Sequence, residues 1–102
     1  MTDEKKNSLI ALMTDNVAML RVRLNLTQAQ LADLIGLSRY TLMAIEKKQR
    51  KMTWSTFLSL FLVFSKNRDT ALLLEAIGIY TEQLNDYLEL RSITTQERSD
   101  NK

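Results

Sequence analysis

TQAQLADLIGLSRYTLMAIEK, residues Thr27 to Lys47, encodes two short helices and the turn between them. Thr27 followed by Gln30 has the spacing of a capping box, so a helix starts here. Leu31, Leu34 and Ile35 fall on one face of that helix, and Gly36 ends it. Ser38 caps the next helix, which runs to about Lys48 with Leu42 and Ile45 turned inward. Only Gly36 and Leu37 separate the two, and so tight a turn makes the helices cross steeply and leaves the second protruding. Ala32 lies where the helices approach most closely, and a larger side chain would push them apart. Gly36, four residues later, supplies a positive φ without strain. Leu42 plugs the core from the second helix.

The rest of the chain extends the same pattern. Upstream, Leu9, Met13, Val17, Leu20 and Leu24 have helical spacing. They predict a first helix, broken or bent near Thr14 to Asn16 and ended by Asn25. Downstream, Thr53 or Ser55 starts a fourth helix through Phe64, which is apolar on nearly every face and so is expected to be buried all round. Asn67 or Asp69 starts a fifth helix, ended by Gly78. Thr81 starts a sixth, to about Arg91, with Glu82 and Asp86 near its positive end. The chain has no Pro and two Gly. The expected fold is all-α, a compact bundle of five to six helices. Residues 1–66 form the main unit and residues 67–91 a helical extension, with a polar tail over 92–102 expected to be disordered.

Composition narrows the function. The 102 residues are 45% hydrophobic and 25% charged, which suits a folded domain and not a disordered chain. There is no Cys and no His. That removes thiolate and imidazole catalysis, disulfides, and the usual ligands for zinc or haem. No Gly-rich phosphate loop or paired carboxylates are evident, so no enzyme, cofactor or metal is expected. The start MTDEKKNS lacks the apolar core of a secretory leader. The longest apolar run, Phe57 to Phe64, is broken by Ser59 and is far shorter than the roughly 20 residues that span a bilayer. The expectation is a cytoplasmic protein with no membrane partner.

The net charge of +2 conceals an asymmetry. Between Thr14 and Arg68 stand Arg21, Arg23, Arg39, Lys47, Lys48, Arg50, Lys51, Lys66 and Arg68, against only Asp15, Asp33 and Glu46. From Asp69 onward acids outnumber bases. A basic body suggests a polyanion on one side, and the acidic C-terminal part suggests a different contact on the other.

The stretch LRVRLNLTQAQLADLIGLSRYTLMAIEKKQRKMTWSTFLSLFLVF, Leu20 to Phe64, resembles the Cro/repressor-type (XRE) helix-turn-helix family over a little under half the chain. The shared pattern is Leu-Arg before the first turn, Leu-Thr-Gln, Leu-Ala, the turn Gly, Ser, an apolar plug, Ile-Glu and a basic stretch. The resemblance implies a lambda-repressor-like bundle that binds double-stranded DNA, usually as a dimer. Its third helix would enter the major groove, with Arg39 and Tyr40 at base edges, Ala44 one turn on and Met43 at the flank. Arg39 suits guanine O6 and N7, the commonest specific contact, whereas Ala44 offers only a methyl group. Ser38 and Thr41 join the expected DNA-contacting set, Thr41 toward phosphate. Gln28 matches a family Gln that touches phosphate and braces the first reading residue. Lys47, Lys48, Arg50 and Lys51 follow as the cations that grip the backbone without reading sequence. Glu46 matches a family Glu that pairs with an Arg of the first helix, here Arg21. The chain departs from the pattern at Lys48, where the family often has Gly, and at Met52, where it often has Pro.

The apolar residues of the fourth to sixth helices, together with Trp54 and the five Met, are core by default. They amount to more apolar surface than a small bundle is expected to cover. A homodimer through these helices is therefore expected, acting as a repressor on a two-fold site. The alternative is a protein-binding module, such as an antitoxin or anti-repressor, that holds a partner through its C-terminal helices.

Overall fold

Six helices make up residues 1–90, the part of the chain that the computed structural model describes. They are α1 (Asp3–Arg23), α2 (Gln28–Ile35), α3 (Arg39–Glu46), α4 (Trp54–Lys66), α5 (Arg68–Ile77) and α6 (Glu82–Leu88). There is no strand among the described residues, so the all-α expectation holds. The expected disordered tail, 92–102, lies outside the described residues, as does Arg91.

Local chemistry sets the helix boundaries. Thr2, Thr27, Ser38, Thr53 and Thr81 each accept a hydrogen bond from a backbone N–H of the first turn that follows. Thr27 and Gln30 form the full capping box, the Gln30 side chain accepting from the Thr27 N–H at 2.9 Å. α2 and α5 end at Gly36 and Gly78, with φ of 75° and 95°. In each case the next residue donates back to the start of the last turn, Leu37 to Ala32 and Ile79 to Leu74. α1 ends the same way with Asn25 in the left-handed position, its φ being 58°.

α1 is not interrupted near Thr14 to Asn16, where a break was one expectation, and the helix is continuous over 21 residues. The side chains that suggested a break are bound within the helix. Thr14 Oγ1 donates to the Ile10 carbonyl at 2.7 Å, and Asn16 Nδ2 donates to the Leu12 carbonyl at 2.8 Å.

α1 is the spine of the bundle, packing against α3, α4 and α5. Leu9, Met13, Val17 and Leu20 line its buried edge. Leu31, Leu42, Phe57, Leu60, Phe64, Leu74, Ile79 and Leu84 close on it with no exposed surface. The segment after residue 66 thus shares one core with the rest. Thr70 fastens the α4–α5 corner, its buried hydroxyl donating to the Phe64 carbonyl at 2.6 Å. Lys6 lies over the Trp54 and Tyr87 rings, 5.4 and 5.7 Å from their centroids, and so links α1, α4 and α6.

Several apolar positions do not face the core. Leu34 is 60% exposed, and buried Ala32 takes its place beside Leu31. Leu62 is 58% exposed, so α4 is not buried all round, and Leu72 on α5 is 69% exposed. Met19 and Leu88 are exposed as well. Among the described residues, no helix is long and apolar enough to cross a membrane.

Candidate nucleic-acid interface

The corner formed by α2 and α3 is held from behind by one carboxylate. Glu46, at the end of α3, accepts from Arg21 Nε at 2.9 Å and Arg21 Nη2 at 3.1 Å. Gln28 Nε2, at the start of α2, donates to the same carboxylate at 3.1 Å. The third nitrogen of Arg21, Nη1, donates to the Leu26 carbonyl at 2.8 Å. Four segments therefore meet at two charged side chains that are largely screened from solvent. Fork-to-carboxylate geometry fixes direction as well as distance, so α3 is held at a set angle to α1 and α2. Leu42 and Ile45 are buried on the inner side of α3, which fixes its rotation.

The outer side of α3 is thereby presented to solvent. Ser38, Arg39 and Tyr40 are exposed at its first turn, Tyr40 to 73%. Thr41, Met43 and Ala44 are half-buried. Ser38 Oγ is used locally, accepting from the Thr41 N–H at 3.1 Å and donating to Thr41 Oγ1 at 2.9 Å. Arg39 borders an open notch of about 510 Å³ with Arg21, Thr27, Gln28 and Ala29. The positive end of the α2 helix lies at this notch, a position that favours an anion. Gln28 braces α3 through Glu46, while its backbone stays at the helix start.

Lys47, Lys48, Arg50 and Lys51 are all exposed in the loop after α3. Lys48 adopts the left-handed conformation that Gly supplies most easily, with φ of 61°. Its N–H donates to the Ile45 carbonyl and that of Gln49 to the Ala44 carbonyl, which completes the helix-ending motif. Met52 is buried and anchors the far end of the loop. The four cations are not equivalent. Lys48 Nζ lies 2.7 Å from Asp15 Oδ1 on α1, whereas no ion pair within the described residues is recorded for the other three. Sequence reading did not find Asp15, which is 33 positions from its partner. Its only signal was its rarity as an acid in the basic body.

No protein-family model, curated protein or solved structure gives a significant match to this chain.

Proposed function

We propose that the chain is a cytoplasmic, sequence-specific regulator that binds double-stranded DNA, with α3 as its reading helix. The observation that carries this reading is the Arg21–Glu46–Gln28 junction. It fixes α3 from behind and leaves Arg39 and Tyr40 exposed, Arg39 beside the positive end of α2. Arg39 would read guanine in the major groove. Lys47, Arg50 and Lys51 would hold flanking phosphates, which set affinity and register. Ala44 contributes only a methyl group, so part of the specificity falls to DNA shape and half-site spacing.

A homodimer belongs to the same proposal. Leu62 and Leu72 expose apolar surface on α4 and α5, and a second copy would cover it. Two recognition helices would then meet major grooves about one helical turn apart, or a multiple of it. Repression by occluding polymerase needs no further domain. The same exposed leucines favour a second reading, in which a foreign protein takes that surface.

Titration of a labelled duplex pool with the protein at several salt concentrations tests the DNA reading. The expected result is binding that weakens steeply as salt rises. Salt-independent binding, or none, would end it.

A further inference from the structure

Among the cations of the loop, Lys48 alone has a recorded ion-pair partner within the described residues, Asp15 at 2.7 Å. Two features hold the pair in place. The left-handed backbone at Lys48 is locked by the hydrogen bonds that end α3, from Lys48 to Ile45 at 3.0 Å and from Gln49 to Ala44 at 2.8 Å. Asp15 stands on a continuous stretch of α1, flanked by Thr14 and Asn16, whose side chains are bound into the helix. Asp15 and Lys48 also border one shallow groove together with Arg50 and Lys51, so a single carboxylate of α1 faces the cationic loop.

We infer that Asp15 is a positioning residue that withholds Lys48 from DNA phosphate, so that the loop grips with fewer cations than its sequence carries. This inference rests on the DNA-binding reading above. The physics is that of counterions. A free lysine that meets a phosphate releases salt ions from the DNA, and binding gains from that release. A phosphate can take Lys48 only by breaking its pair with Asp15, and the loss of that pair offsets the gain. The consequence is weaker binding to every sequence alike, with the base contacts of α3 untouched. The protein would spend less time on non-specific DNA for a given preference for its site.

The test is a double-mutant cycle on Asp15→Asn and Lys48→Gly, read as the slope of log affinity against log salt on one duplex. Both residues are more than half exposed. Gly suits the left-handed backbone at 48, so both variants are expected to fold, with circular dichroism melts as the check. Lys48→Gly alone should leave the slope near wild type. Asp15→Asn should steepen it by about 0.9, an extra loss of about three- to fourfold in affinity between 50 and 200 mM salt. The double variant should return to the wild-type slope. If Asp15→Asn acts equally with and without Lys48, the effect is plain charge removal and the inference is overturned. A flattened slope in Lys48→Gly alone also overturns it, because Lys48 would already be on phosphate. Normal wild-type binding in either case leaves the DNA reading standing. Absence of any wild-type binding overturns both.

Discussion

The Arg21 guanidinium and the Glu46 carboxylate meet side on, two nitrogens to two oxygens at 2.9 and 3.1 Å, across 25 positions of sequence. The pair joins the end of α1 to the end of α3. It also receives the Gln28 amide, so the angle between α2 and α3 depends on it. Stability and presentation of the reading helix are therefore coupled at one site.

Removing half of the pair leaves the other charge with little access to water. Arg21→Ala is expected to cost about 3 kcal/mol in urea unfolding. Arg21→Lys keeps the charge but loses the two-pronged geometry, and it should fall between the two. An Arg21→Ala midpoint equal to wild type would mean that the core alone holds α3.

Gly36 is needed for its backbone and not for space. A methyl group built on it would meet nothing within 4 Å, yet its φ is 75°. Gly36→Ala should thus cost about 1–2 kcal/mol, the usual strain of a left-handed residue. Gly78→Ala should behave alike, since it has the same free space and a φ of 95°. Losses of twice that size in chemical denaturation would point to a packing clash instead.

Such local signals were legible in the sequence. Thr27 with Gln30, Ser38, Thr53, Thr81 and the two glycines mark helix ends through bonds that reach only three to five residues. What the sequence hid is tertiary. Leu34 and Leu72 have core-like spacing, but the rotation of a helix of eight or ten residues is settled by contacts outside it, and both side chains end exposed while Leu31 and Leu74 face the core. Thr14 and Asn16 look like helix breakers because their side chains compete for backbone. Here they bond backward and leave the helix intact. At the site, Ala32, Gly36, Leu42 and the Arg21–Glu46 pair were readable, whereas the Gln28 amide, expected against the first reading residue, donates to Glu46 instead. The Lys48–Asp15 contact was not readable, since no local rule puts lysine in a left-handed position or pairs it with a distant acid.

Arg39 and Lys51 separate reading from gripping. Arg39→Ala should cost about 1–3 kcal/mol on the preferred site and relax preference at one base pair. Lys51→Ala should weaken binding to all duplexes alike and flatten the salt slope by about 0.9. Competition titrations with single-base variants of the site distinguish the two. Equal specificity in Arg39→Ala and wild type would remove Arg39 from the reading head.

Leu62 and Leu72 are the surface on which the dimer depends in this account. Replacing both with Ser should shift the protein to monomer in sedimentation. Measured at concentrations where wild type is also dissociated, the urea midpoint should barely move, because exposed side chains contribute little to the folded monomer. A wild-type chain that is monomeric at micromolar concentration would remove the dimer from the proposal. It would favour a foreign partner on the same surface.

The central claim is that α3 reads duplex DNA, and selection of binding sites from a random duplex pool tests it most directly. The account predicts enrichment of a two-fold site whose half-sites contain a guanine, with their centres about one helical turn apart or a multiple of it. Loss of preference at that guanine in Arg39→Ala should accompany the enrichment. A pool that stays unenriched after successive rounds would contradict the account.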